Sequence, residues 1–275
     1  MGKCKYCGQD AGIFHSKHNE CEQRHNNGVA RIKSIIDVCF QQKKDFYLFQ
    51  PEIQKICQDS FISNENTKNI YCESFDTAIE QYLDDGIIDT AEEQSVARFM
   101  QFSGLSQQVL NANKSLEKVV QSKVLQELFN GRIPAPKITI AGDFPFLLNK
   151  NENLLWLFRD VTLQMQKTRR ETVGRTRGVS VRICKGVYYR TGGFKGRPVE
   201  TTYMQRIGTG SVCLTDKNLY FHCPQKSLKI PFAKILSVDP YSNGVSIQKD
   251  GVNDKPMFFE NLNSWFCYNV IANLK

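Results

Sequence analysis

GTGSVCLTDKNLYFHCPQKSLKIPFAKILSVDPYSNGVSIQKDG, residues Gly208 to Gly251, decides how the C-terminal half of this chain folds. Apolar side chains recur at every second position in short runs, the period of a pleated strand with one buried face. Leu219 and Phe221 then face one side of a strand while Tyr220 and His222 face the other. Asp216, Lys217 and Asn218 make the turn before it, and Ile230, Phe232 and Ile235 continue the buried set. Pro231 cannot donate to a ladder, which places it at an edge or a bulge.

Working outward, the same grammar holds on both sides. Upstream lie KITIAG (137–142), LLWLFRDVTLQM (154–165), VSVRICKGVYYR (179–190) and TYMQRIG (202–208); downstream lies KPMFFEN (255–261). Gly, Asn, Asp and Pro separate these runs, as expected for short antiparallel strands in a barrel or sandwich. Gly178 to Gly196 is expected to supply the first hairpin. In LNSWFCYNVIANL (262–274), Leu262, Trp265, Phe266, Asn269, Val270 and Ala272 recur near helical spacing, which predicts one closing amphipathic helix.

Before residue 131 the period is helical. Val29, Ile32, Ile35, Ile36, Cys39 and Phe40 form one stripe, predicting a helix over 29–42. Phe75, Ala78, Ile79, Tyr82 and Leu83 form a second, and Val96, Phe99 and Met100 a third. Leu116, Val119, Val120, Leu125, Leu128 and Phe129 form the last. Thr90 and Glu93 fit a capping box. Gly131 ends the final helix, and Pro134 and Pro136 forbid its continuation. The acidic turn from Leu83 to Glu93 lacks carboxylates at the first and third positions of a calcium loop, so it reads as a helix end followed by a capped helix start.

The C-terminal motifs support a family resemblance. The Gly-rich entry Gly208 to Gly210, the strand-turn-strand Leu214 to Phe221, the strand Lys229 to Val238, GVSIQKDG and the helix around Trp265 resemble the GRAM and bacterial pleckstrin-homology-like (PH-like) group. The resemblance implies a small antiparallel β-domain with a closing helix. Domains of that group bind lipid headgroups, peptides or other proteins, so the fold does not choose a ligand.

The strongest chemical signal is CKYCGQDAGIFHSKHNECEQRH, starting at Cys4. Cys4 and Cys7 form a CxxC turn followed by Gly8, a spacing that lets two thiolates point at one ion. His18 and Cys21 are three residues apart, so on the first turn of the following helix they share a face. The expected site is structural zinc held by Cys4, Cys7, His18 and Cys21 in a zinc-ribbon or treble-clef module, with His15 and His25 as competitors for the histidine position. A His-Asn nuclease reading would press His15 into service as base, but leaves the second metal-ligating histidine without a place. The other cysteines of the ten are scattered through apolar surroundings, as buried small hydrophobes are. A leading CxxC with no apolar signal segment and no run long enough to span a bilayer predicts a cytoplasmic, reducing setting.

From Arg159 to Arg206 there are twelve basic and three acidic residues, a surplus of nine that exceeds the whole chain's net charge of +8. Arg169, Arg170, Arg175, Arg177, Arg182 and Arg190 are the candidate anion-binding residues, because the planar guanidinium fork suits phosphate or carboxylate. An ordinary solvated strand face gives the same pattern.

Together these features predict an α+β multidomain chain: a zinc module at 1–28 leading into the helix 29–42, a helical domain at 45–130, and a PH/GRAM-like β-domain at 137–275. No nucleophile elbow, phosphate loop or HExxH motif is present, so the expected activity is non-catalytic. The leading expectation is an adaptor or sensor that binds a protein partner or oligomerises. The alternatives are nucleic-acid binding through the zinc module and the Arg-rich hairpin, and peripheral binding to an anionic membrane.

Overall fold

The structure is a computed structural model that describes the chain apart from residues 1, 13, 135–141, 185–186 and 252–253, and apart from the side chains of 172–196 and 198. The KITIAG run therefore lies almost wholly outside the described residues. The chain divides into two compact units, Met1–Arg132 and Ile133–Lys275.

In the first unit a two-stranded ribbon, β1 (Gly2–Lys3) and β2 (Asp10–Gly12), precedes helices α1 (Asn19–Gln41), α2 (Gln50–Asp59), α3 (Asn64–Tyr82), α4 (Thr90–Ser103), α5 (Gln107–Leu110) and α6 (Ser115–Phe129). Helix α1 starts ten residues before its apolar stripe, so the Cys/His segment and the helices share an element. Ile32, Ile36, Cys39 and Phe40 are buried with Phe46, Ile53, Phe75, Ile79 and Phe99 in one core. Its centre is aromatic: Phe40 meets Phe46 and Phe99 at 4.9 and 5.0 Å between ring centroids, and Phe75 stacks on Phe99 at 5.6 Å. Such pairs add to simple area burial.

The caps explain where the helices begin and end. The Ser63 hydroxyl accepts from the Asn66 N–H at 3.2 Å and starts α3. The α4 capping box forms one residue earlier than Thr90 and Glu93 suggested. Asp89 accepts from the Glu92 N–H at 2.7 Å, and Glu92 accepts from the Asp89 N–H at 2.9 Å. Aspartate caps as well as threonine does, and the three-residue offset suits both pairs. Helix α6 ends at Gly131, in the left-handed region at φ 69°. There the N–H groups of Gly131 and Arg132 close on the carbonyls of Leu128 and Glu127. The expected α6 stripe is only partly buried: Leu125 and Leu128 are inside, while Val120 and Phe129 are 49% and 43% exposed. Ser115, Gln121 and Ser122 are buried instead.

The second unit is a curled seven-stranded antiparallel sheet in the order β6-β5-β4-β3-β9-β8-β7. Its strands are β3 (Leu154–Cys184), β4 (Val187–Thr215), β5 (Asn218–Cys223), β6 (Lys226–Pro231), β7 (Ile235–Tyr241), β8 (Gly244–Lys249) and β9 (Met257–Glu260). Pro231 ends the edge strand β6, where a missing N–H costs no ladder bond. The runs LLWLFRDVTLQM, VSVRICKGVYYR and TYMQRIG, which read as separate short strands, are parts of two long ones. Their glycines lie within the ladder, several facing one another across it, Gly174 opposite Gly196 and Gly178 opposite Gly192. The expected hairpin from Gly178 to Gly196 is thus the outer end of a hairpin spanning Leu154 to Thr215. A register shift between Phe158 and Val161, with Asp160 at φ 57°, bends β3 where the sheet begins.

Val161, Leu163, Val212, Leu214, Leu219, Phe221, Val245, Ile247 and Phe259 are buried in this sheet. Helix α7 (Ser264–Leu274) packs against β7 and β8, and Phe266 sits 5.3 Å from Trp156 and 6.0 Å from Phe158 between ring centroids. The buried stripe of α7 is Phe266, Cys267, Asn269, Val270 and Ile271. Trp265 is 51% exposed and Ala272 is exposed, so the expected stripe is rotated toward Cys267 and Ile271.

A second layer covers the sheet's other side: Phe146 packs on Cys213 and Tyr220 with Phe144, Leu148, Leu154 and Leu157 around it. Glu152 pins this segment to the β4–β5 turn. Its carboxylate accepts from the Thr215 hydroxyl at 2.5 Å, the Asn218 amide at 2.6 Å and the Tyr220 hydroxyl at 2.8 Å. Asp216 returns the grip, accepting from the backbone and side-chain N–H groups of Asn153 at 3.0 Å each.

Candidate metal centre

The Cys4–Cys7 turn is built by its own backbone. The Gly8 N–H donates to the Cys4 carbonyl at 2.8 Å, and the Cys4 N–H donates to the Gln9 carbonyl at 2.7 Å. Gly8 takes φ 74°, a left-handed angle that L side chains rarely adopt. The β1–β2 ribbon then brings the chain back to α1. His18 is the residue before the first turn, and Cys21 lies within that turn.

This arrangement gathers Cys4, Cys7, His18 and Cys21, with their ligand atoms all within 4.8 Å of one another, a group that could hold a metal ion. It is the one such group among the described residues. His18 Nδ1 lies 3.4 Å from Cys7 Sγ and 3.6 Å from Cys21 Sγ. The other ring nitrogen, Nε2, is 3.0 Å from the Asp10 carbonyl oxygen. A proton on Nε2 serves that carbonyl and leaves the Nδ1 lone pair aimed at the sulfurs, the usual way an outer partner fixes a ligand imidazole. The His18 N–H also donates to Cys4 Sγ at 3.4 Å.

The thiols are coupled. Burial pushes the Cys4 thiol up, but the backbone N–H groups of Cys7, His18 and Tyr6 outweigh it and bring it down to about 6. Burial, then the Cys7 and Cys4 sulfurs, push Cys21 up to about 11. One thiolate forms readily here and its neighbour resists a second like charge; a cation among them reverses that balance.

The competing histidines stand elsewhere. His25 Nδ1 is 3.1 Å from the Ser60 carbonyl oxygen, and its ring lies 4.8 Å from Tyr6, so it ties α1 to the end of α2. His15 is exposed and outside the group. Sequence reasoning missed the Asp10 carbonyl, because a main-chain acceptor leaves no mark in residue type.

The buried cysteines elsewhere are hydrophobes. Burial raises Cys39 to about 11 and Cys267 to about 12; burial, with Glu152 nearby, raises Cys213 to about 12. None of the nine described cysteines is in a disulfide.

Of the candidate anion-binding residues, Arg169 and Arg170 are exposed on β3. Arg169 pairs with Glu171 at 2.7 Å and Arg170 with Glu200 at 2.5 Å. Arg175, Arg177 and Arg182 lie on β3 and Arg190 on β4. Their side chains are outside the described residues. No described helix is long and apolar enough to cross a membrane. No family model, no curated protein and no solved structure matches this chain, so the Cys/His centre and the curled sheet rest on its own residues.

Proposed function

We propose that this chain is a non-catalytic, cytoplasmic adaptor whose N-terminal unit is fastened by structural zinc and whose β unit is PH/GRAM-like and binds a protein partner. The observation that carries the reading is the Cys/His group. Zinc bonds sulfur at about 2.3 Å and imidazole nitrogen at about 2.0–2.1 Å. A tetrahedron with those arms has a nitrogen-to-sulfur edge of about 3.5 Å. The two nitrogen-to-sulfur distances in the structure, 3.4 and 3.6 Å, bracket that value. Three thiolates and one imidazole fill all four positions, the closed arrangement of structural zinc rather than the open one a catalytic ion needs.

The antiparallel order of the second unit and its closing helix agree with what the sequence resemblance implies for a PH-like domain. Glu152, Asp216 and the Phe146 layer read as supports of that scaffold, since every polar atom of the Glu152 group is spent on holding the turn.

Elemental analysis of purified protein, paired with native alkylation, tests the zinc assignment. One zinc per chain is expected, with Cys4, Cys7 and Cys21 protected until a strong chelator is added. A protein without stoichiometric metal whose three thiols react at once would overturn it.

A further inference from the structure

The longest feature of the β unit runs on past the strands that flank its base. Strand β3 has β9 beside it only from Thr162 to Met165, and β4 has β5 beside it only from Ser211 to Leu214. Lys255 still reaches Thr168, and beyond it the two strands continue alone, Arg169 opposite Thr201 and onward to Arg182 opposite Tyr188. Among the described residues no third strand flanks this part. Sixteen residues from Arg169 to Cys184 at the usual strand rise make an arm of about 50 Å.

A bare two-stranded ribbon is marginal in water and leaves two unpaired edges. A bound partner lying along the ribbon would offset that cost. The arm's charge says of what kind. Residues 169–201 hold nine basic and two acidic residues, a surplus of seven in a chain of net charge +8. The register then sorts that charge. No shift interrupts the pairing from Gln164 to Arg182. Val173 opposes Arg197, Arg175 opposes Lys195 and Arg177 opposes Gly193, so positions 175, 177, 195 and 197 fall within five consecutive rungs of the ladder. Four basic residues and no acidic one occupy those rungs at mid-arm.

We infer that the β3–β4 arm is a DNA-binding element that lays its Arg175, Arg177, Lys195 and Arg197 cluster along the phosphates of duplex DNA. The major groove of B-form DNA, about 12 Å wide, admits a two-stranded ribbon, whereas the deep major groove of A-form RNA does not. Phosphate contacts made this way are read by charge and shape, so binding is expected to be largely sequence-independent. The adaptor would then hold a protein partner on its sheet and DNA on its arm.

The test is fluorescence anisotropy of the full-length protein with a 30-base-pair DNA duplex, the matching RNA duplex and anionic vesicles of phosphatidylserine in phosphatidylcholine, across a salt series. Wild-type protein is expected to prefer the DNA. Each phosphate neutralised adds about 0.9 to the slope of log affinity against log salt. R175A/R177A/K195A/R197A should therefore flatten the slope by about 3–4 and weaken binding at low salt by roughly 30-fold or more. K44A/K55A/K68A, which removes three exposed charges from the helical unit, should change binding less than about threefold. Zinc content and thermal melting of both variants confirm that they fold. Four results would overturn the inference: no DNA binding at low salt, an unaltered slope in the arm variant, an equal loss in the helical-unit control, or a preference for RNA or vesicles over DNA. A chain that loses DNA through the arm yet carries no zinc would sink the metal assignment and leave this inference standing.

Discussion

Gly28 lies in the middle of α1, where glycine costs about 1 kcal/mol of helix stability relative to alanine. By propensity alone, Gly28→Ala should stabilise the protein. The packing reverses the sign. A Cβ at position 28 would lie 2.4 Å from both Cβ and Oγ of Ser60, and 3.2 Å from Cδ1 of Ile62. The Ser60 hydroxyl can rotate away, but its Cβ is fixed to the backbone at the end of α2. The two helices must therefore separate, and the His25 bond to the Ser60 carbonyl lengthens with them. Overpacking of this kind costs about 1–3 kcal/mol. Since the clash is with an immovable atom, the upper part of that range applies, and the net expectation is a loss of about 1–2 kcal/mol after the helix gain. For a domain of this size that lowers the melting temperature by roughly 3–6 °C. Thermal melting followed by helical circular dichroism measures it. The double variant G28A/S60G removes the obstructing atoms and should melt close to the wild type. A G28A protein that melts at or above the wild type, or a double variant no better than G28A, would show that the α1–α2 approach is not set by this contact.

Other outcomes follow from the same structure. Cys21→Ser should abolish stoichiometric zinc retention during dialysis against a mild chelator, while His25→Ala keeps one zinc per chain because His25 serves Ser60 and not the metal group. Equal zinc loss from both would move His25 into the ligand set. Glu152 is pushed up by burial, but the hydrogen bonds from Thr215, Asn218, the Asn149 N–H and Tyr220 prevail and hold its carboxyl below the ordinary value. Its contribution is therefore full above about pH 4.5 and lost as pH falls below that. Glu152→Gln should lower urea stability of the β unit at neutral pH by about 2–3 kcal/mol and flatten its acid decline, since one amide oxygen cannot accept every donor the carboxylate serves. An unchanged acid profile in that variant would remove Glu152 as its source. Phe99→Ala, at the centre of the aromatic core, should cost about 3–5 kcal/mol, and Val120→Thr on the exposed face of α6 less than about 0.5 kcal/mol, both by chemical denaturation. Comparable losses would mean that α6 buries that face in solution.

Local chemistry carried much of this organisation. Cys4, Cys7, His18 and Cys21 were legible because two i, i+3 pairs are short-range geometry, and the end of α6 follows from Gly131. The extent of β3 and β4 was not legible. Glycine, taken alone, reads as a break, and only the cross-strand partner of each glycine reveals that the ribbon continues through it. The rotation of α7 and the exposure of Val120 depend on which surfaces the tertiary structure presents to each helix, which periodicity cannot specify when both faces are apolar. Glu152 gave no signal at all, because its side-chain donors Thr215, Asn218 and Tyr220 lie more than sixty residues away in sequence.

The pairing of Thr162 with Glu260 joins positions about 100 residues apart and sets the order in which the β unit can assemble. The β3–β4 ribbon and the β5–β6 hairpin can form from near neighbours, but β3 has no outer companion until Met257–Glu260 have left the ribosome. During synthesis the apolar edge formed by Val161 and Leu163 must wait for the last strand to arrive. Truncation upstream of Met257 should accordingly yield an aggregating nascent chain rather than a smaller soluble domain.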